Sequence, residues 1–193
     1  MPYRGVNNFK INELCEINQY SITPNLETEY RYIDIEAVEN GTGKFSIEQS
    51  IIGKNLPSRA RRLAKTGSTI ISTVRPNLKG FAYVEKEIEN GIFSTGFAIL
   101  NSKNTDVLLD KMVFYTFMYS KNMMQQMEHA MPKGQYPSIN KTDIENFMFT
   151  VMPIETQQSI VAQISEYEDK IREAEQVIAS TAEKKKGILE KYL

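Results

Sequence analysis

The sequence predicts an α+β protein, with a mixed-strand globular domain over residues 1–152 and one long coiled-coil helix over residues 153–193. Three observations predict it. Short runs of β-branched and aromatic residues alternate with Asn-Gly and Pro-Asn turns through the first part of the chain. One apolar helical segment interrupts these runs. From Ile154 to Leu193 the turn residues vanish, with no proline and a single glycine, Gly187.

In chain order, Tyr30 to Val38 alternates apolar and polar residues and reads as a strand. Asn40-Gly41-Thr42-Gly43 follows as a turn. With Lys44 it has the look of a phosphate loop, but it lacks the G-x-x-x-x-G-K-[ST] spacing, so a hairpin turn is expected. Ser68 to Val74 is rich in β-branched residues and reads as the second strand. Pro76 to Gly80 turns the chain into a third, beginning at Phe81-Ala82-Tyr83-Val84. Asn90-Gly91 precedes a strand from Ile92 to Leu100, where Gly96 signals a bulge or a close backbone approach. Thr105 is placed to cap a helix through Val107, Leu108, Met112, Phe114, Tyr115, Met118 and Tyr119. Its apolar residues occupy more than one face, so burial on several sides is expected. Thr142 and Glu145 have capping-box spacing at the start of a short helix. Phe147 to Met152 returns to strand-like composition before Pro153.

The C-terminal segment carries a heptad seam. Ile160, Ile164, Tyr167, Ile171, Ala174, Ile178, Thr181, Lys185, Ile188 and Tyr192 alternate spacings of four and three. A helix of this length cannot bury its seam against itself and needs a second helix. Thr181 and Lys185 are weak core residues, of the kind that trade stability for register or partner choice.

With 193 residues, 41% hydrophobic and 24% charged, the chain has enough material for one core plus an appendage. Its one cysteine, Cys15, excludes an internal disulfide and fits a reducing, cytoplasmic setting. The N-terminus lacks an apolar signal run. The most apolar helical stretch, Val107 to Met127, is broken by Asp110, Lys111, Lys121 and Asn122, so no membrane association is expected. A net charge of −1 argues against indiscriminate polyanion binding but not against positive charge concentrated on one surface.

Catalytic chemistry is poorly represented. Cys15 and His129 form the one conceivable Cys–His pair. Cys15 sits in an apolar context and reads as a small core residue; His129, near a helix end, reads as a C-terminal cap or surface group. One Cys and one His cannot build a Cys/His zinc site. The chain also has no Asn/Asp-Pro-Pro-aromatic motif of the kind used by amino-methyltransferases, so no catalytic residue, metal site or cofactor site is assigned.

Binding chemistry is better represented. Arg59, Arg61, Arg62 and Lys65 fall close together with no acid between them, after Pro57 and just before a strand. A solvated turn would explain this cluster; so would a loop presenting phosphate contacts at a sheet edge. The next loop adds Thr73, Arg75, Asn77 and Lys79. Arg suits bidentate contact with guanine and Asn with adenine, while Lys suits phosphate. A third loop, Pro132 to Ser138, supplies Gln135 and Tyr136.

These loops carry a resemblance to a known family. Tyr32-Ile33-Asp34-Ile35 looks like its early YIDI strand. Ser58 to Asn77 resembles its SRARR block ending in STVRPN. Phe93-Ser94-Thr95-Gly96-Phe97 matches its STGF element. Gly134 to Ile139, Asp143-Ile144, and Pro153-Ile154 with Gln157 resemble later segments. Thr156 stands where the family usually has Glu, and Ser68-Thr69 where Gly-Asp is common. The chain thus resembles the specificity (S) subunits of type I restriction–modification systems, in a half-length form with one target recognition domain and one helical spacer.

The resemblance implies a non-catalytic DNA-sequence-recognition subunit that directs a partner adenine methyltransferase to a bipartite site in double-stranded DNA. S-adenosylmethionine would belong to that partner. Methyltransferase subunits, a restriction subunit and a second copy of the chain are the implied protein partners. Residues 1–152 would be the target recognition domain. Residues 153–193 would dimerise and dock the methyltransferase through Ile160, Ile164, Tyr167, Ile171, Ile178 and Ile188. Arg59, Arg61, Arg62 and Lys65 would hold phosphate, Arg75, Asn77 and Gln135 would face base edges, and Thr73, Lys79 and Tyr136 complete the DNA-binding set. The alternative is a coiled-coil interaction module whose globular domain binds protein. It draws on the near-zero net charge and the Met-rich stretch Met123 to Met131.

Overall fold

A computed structural model describes residues 5, 7–47, 50–132 and 137–192. The chain divides into two compact units, Met1–Ile154 and Glu155–Leu193. The first contains ten strands, four helices and three 3-10 turns among its described residues.

The strands are β1 (Asn7–Lys10), β2 (Cys15–Ile17), β3 (Glu29–Ile33), β4 (Ile51–Ile52), β5 (Ala60–Arg62), β6 (Thr69–Ser72), β7 (Phe81–Tyr83), β8 (Gly91–Ser94), β9 (Phe97–Ser102) and β10 (Met148–Val151). The helices are α1 (Ile11–Leu14), α2 (Asp110–Tyr119), α3 (Lys121–Ala130) and α4 (Lys141–Asn146). Two four-stranded sheets, in the orders β2-β9-β6-β7 and β4-β3-β8-β5, dominate, and β1 pairs with β10. The first of the four-stranded sheets is antiparallel throughout, whereas β3 and β8 run parallel in the second.

The two sheets meet face to face. Ile33 and Phe93 from one join Ile70, Ala82, Phe97 and Ile99 from the other in a single buried cluster. Alternation along each strand sends Ile71, Phe81 and Leu100 to the opposite face, where α2 packs. There the Phe81 and Phe117 rings meet edge to face, with centroids 6.4 Å apart. β6 is therefore covered on both sides, and each fully buried side chain of this size contributes about 1.5–3 kcal/mol. As expected, α2 is buried on several sides, through Met112, Val113, Phe114, Tyr115, Phe117 and Met118.

Several elements depart from the sequence expectation. The strand read as Tyr30 to Val38 stops at Ile33, because the Asp34 carboxylate accepts the Ile35 N–H and starts a 3-10 turn over Ile35–Ala37. The run Ile92 to Leu100 is two strands, β8 and β9, which belong to different sheets and are joined at Thr95-Gly96. Gly96 is a close-approach glycine: a Cβ there would lie 2.5 Å from Ile35 Cδ1. The helix does not start at Thr105. Its first residue is Asp110, and it breaks at Ser120, whose extended backbone ends α2 while its hydroxyl accepts the Met123 N–H and starts α3. The capping box of α4 is Asn140 with Asp143, not Thr142 with Glu145. The hairpin turn at Asn40 to Gly43 is present, bridged by Val38 and Phe45.

The second unit is built on α5 (Ile154–Leu189), a helix of 36 residues and so about 54 Å long at roughly 1.5 Å per residue. From Ile171 to Thr181 every residue is exposed. None of the helices is long and apolar enough to cross a membrane, among the described residues.

Candidate nucleic-acid interface

The basic cluster lies on and beside an edge strand. β5 ends the sheet β4-β3-β8-β5, and its register slips between Ala60 and Arg62. Ala60 is fully buried, and Arg59 lies just before the strand. Arg59 is exposed but not loose. Its Nε–H donates to the Tyr32 hydroxyl at 3.1 Å, and its Nη2 pairs with the Asp34 carboxylate. The second Asp34 oxygen is fixed by the Ile35 N–H at 2.8 Å. The Tyr32 hydrogen bond, then the Asp34 charge, hold the Arg59 guanidinium above its ordinary pKa. Arg61 donates from Nε to the Ser58 carbonyl at 3.0 Å. Arg62 differs from both: it is half-buried, its Nε is enclosed without a hydrogen-bond partner, and burial pulls its pKa down.

The second loop is held in an unusual backbone shape. Arg75 (φ 47°, ψ 53°) and Lys79 (φ 55°, ψ 44°) both adopt left-handed conformations and bracket the 3-10 turn Pro76–Leu78. Each costs about 1–2 kcal/mol in a non-glycine residue. The turn leaves Arg75 and Asn77 exposed. The Lys79 ammonium donates to the Met118 carbonyl at 2.8 Å, in the last turn of α2, where a cation complements the helix dipole.

The Thr95-Gly96 turn ties these segments together. The Thr95 N–H donates to the Arg59 carbonyl at 2.8 Å. The Gly96 carbonyl accepts both the Thr73 N–H, at 2.9 Å, and the Thr73 hydroxyl, at 2.8 Å. The Thr73 carbonyl in turn accepts the Ile139 N–H at 2.9 Å, and the Arg75 N–H donates to the Pro137 carbonyl at 2.8 Å. Val74 and Ser138 are bridged between these bonds. Arg59, the Thr73–Asn77 segment and the Pro137–Ile139 segment are thus gathered at one end of β6 and β8. Gln135 and Tyr136 lie outside the described residues.

Lys65 is not part of this gathering. Its N–H donates to the Ser68 hydroxyl at 3.0 Å, and that hydroxyl donates to Asn101 Oδ1 at 2.7 Å. Ser68 precedes the Thr69 end of β6, which pairs with Leu100, whereas the Ser72 end pairs with Phe97 beside Gly96. Its nearby charged group is Asp110, whose carboxyl burial raises and whose pKa the Ser102 N–H and then Lys65 pull back down.

Cys15 is buried in β2, and its thiol is pushed up to about 12, chiefly by burial and then by the charge of Asp110. Such a thiol is not a nucleophile near neutral pH. His129 lies in the last turn of α3, with Nδ1 2.6 Å from the Gln125 carbonyl. A carbonyl can only accept, so Nδ1 carries the proton. No cluster of three or more metal-ligating side chains occurs among the described residues.

The family model for the type I restriction modification DNA specificity domain matches residues 3–180. The chain belongs to that family. Among curated proteins it is similar to the HindI type I restriction enzyme specificity subunit of Haemophilus influenzae. Identity is 25% over 119 residues, covering 61% of this chain and 26% of that protein. Among solved structures it is similar to the HsdS subunit of Thermoanaerobacter tengcongensis, with TM-score 0.76 and 28% identity over 93% of this chain and 47% of that one. A second structure, from work on complex assembly and conformational transition of the type I R-M system, gives TM-score 0.77 and 28% identity, over 92% of this chain and 46% of that one. The chain spans about a quarter of the curated relative and about half of each solved one. The target-recognition fold and the long helix read from the sequence are those of the specificity subunits.

In this specificity-domain chain, several of the segments that carry the family resemblance are brought together by the fold: Arg59, Thr73 and Arg75, then Gly96, then Pro137–Ile139. Sequence reasoning missed Tyr32 and Asp34 as partners of Arg59, and Thr95-Gly96 as the hub. Only the glycine left a local signal. The ion pair joins residues 25 positions apart through a parallel strand pairing that no local pattern announces.

Proposed function

We propose that the chain is the DNA-sequence-reading subunit of a type I restriction–modification assembly. It directs a partner adenine methyltransferase to a bipartite duplex site and acts as a dimer of half subunits. S-adenosylmethionine and the methyl transfer belong to the partner. The observation that carries this reading is the gathering of Arg59, Thr73, Arg75 and Asn77 around one turn in a member of the DNA specificity family. Arg75 and Asn77 face base edges, and Gln135, outside the described residues, is assigned with them by residue type alone. Arg61 and Lys79 supply positive charge for the phosphates.

The helix supports the dimer. Its seam residues Tyr167, Ile171, Ile178 and Ile188 are 66, 56, 70 and 59% exposed, which leaves a long apolar stripe in water unless another helix covers it. One seam pairing with a second copy would place two recognition domains on one DNA site. Methyltransferase subunits, and a restriction subunit where the system has one, would dock on this assembly.

The test is the salt dependence of duplex binding by the full chain, alone and with a methyltransferase subunit encoded beside it. About six phosphate contacts would give a log–log slope near −5. A flat dependence contradicts the reading.

A further inference from the structure

We infer that Arg59 reads a guanine base edge instead of holding phosphate, with Asp34 and Tyr32 as its positioning residues. This inference rests on the proposed DNA-reading function and deepens it at one residue. Arg carries five N–H groups in a planar fork. The bonds to the Tyr32 hydroxyl and the Asp34 carboxylate use Nε and Nη2, which form one edge of that fork. The opposite edge, Nη1 with the second Nη2 hydrogen, presents two parallel N–H groups. That is the donor pair that matches guanine O6 and N7 in the major groove.

The surroundings favour a reader over a clamp. Asp34 is itself held by the Ile35 N–H, and the Arg59 carbonyl by the Thr95 N–H, so both ends of the residue are fixed. Side chains locked by such supporting bonds suit a contact that needs tight geometry. The ion pair also removes the net charge a phosphate clamp depends on, and places a carboxylate where a phosphate would be repelled. The Arg59 side chain is still 56% exposed, so its outer edge remains reachable. Arg75 and Asn77 stand on the loop that shares the Thr95-Gly96 hub. Arg59 therefore belongs with them and apart from Arg61 and Lys65.

The test starts with a duplex enriched by the wild-type full chain, with its methyltransferase, from a random-sequence pool. Three proteins are then compared on that duplex: wild type, Arg59→Lys, which keeps the charge but loses the fork, and Asp34→Asn, which keeps the shape but loosens the pair. Each guanine is replaced in turn by 7-deazaguanine, which removes the N7 acceptor. The expected result is that Arg59→Lys loses about ten- to a hundredfold in preference at one guanine position, while its binding to unrelated duplex is unchanged. The 7-deazaguanine penalty at that same position disappears in Arg59→Lys, a coupling a purely structural role would not produce. Asp34→Asn weakens the same preference and binds unrelated duplex more tightly, because an acid has been removed. If Arg59→Lys enriches the wild-type motif, whether or not its melting temperature falls, Arg59 is a phosphate contact or a strut and the inference is overturned alone. If the wild-type protein enriches no sequence, the inference falls together with the proposed function.

Discussion

The globular unit and the helical unit treat their apolar residues in opposite ways. In Met1–Ile154, Phe81, Phe93, Phe97, Phe117 and Phe149 are all fully buried. In α5, Tyr167, Ile171, Ile178 and Ile188 are mostly exposed. The first unit closes its core within the chain, between two sheets and α2. The second has a seam and nothing in its own unit to cover it. The difference teaches that the two units depend on different things: one on internal packing, the other, on the dimer reading proposed above, on concentration and partner.

Point changes sharpen that contrast. Phe93→Ala should have the largest effect, destabilising the globular unit by about 3–5 kcal/mol in denaturant unfolding, because it leaves a cavity in the cluster between the sheets. Ile171→Asp with Ile178→Asp should leave the globular transition where it is. It should weaken self-association by roughly a hundredfold or more in sedimentation, since each lost isoleucine removes about 1.5–3 kcal/mol of apolar burial. Equal loss in both assays would break the division between the units. Ser68→Ala should cost about 1–3 kcal/mol, because Asn101 Oδ1 loses its donor and the Lys65 N–H its acceptor in a buried setting.

The smallest effect concerns Cys15. Its folded pKa of about 12 lies above the ordinary value of 9.0, so the fold favours the neutral thiol. That contribution is fully present below pH 9 and is lost as pH climbs toward 12. Near pH 8 the native thiol should resist alkylation, and mass spectrometry should find it labelled only after denaturant is added. Rapid labelling of native protein would contradict the burial of β2.

How much of this was legible in the sequence follows the range of the interactions. The heptad seam and the apolar helix were readable, because their signals repeat along the chain. The strand that became β8 and β9 was not: nothing local says that Thr95-Gly96 passes the chain from one sheet to the other. Asp34 ended a strand early for a reason that was local, its capping of Ile35, but the alternation around it hid the signal. β5 falls where the sequence offered a solvated turn or a loop at a sheet edge, because its three residues, Ala-Arg-Arg, have little strand preference; pairing with β8 imposes the conformation. At the site, the residue types were visible and their company was not. Arg59, Arg75 and Asn77 could be named as candidates. That Lys65 sits at the far end of β6, that Lys79 is held on α2, and that Arg62 is half-buried depended on tertiary placement.

The most direct test of the account is selection of binding sites from a random duplex pool, run in parallel for the wild-type full chain and for Arg75→Ala with Asn77→Ala, each with its methyltransferase. The account predicts that the wild-type protein enriches one bipartite motif. The variant, equally folded by circular dichroism, should lose preference at particular positions of it by about ten- to a hundredfold each. Enrichment of the same motif by both proteins would contradict the claim that the loops gathered at Thr95-Gly96 read the DNA.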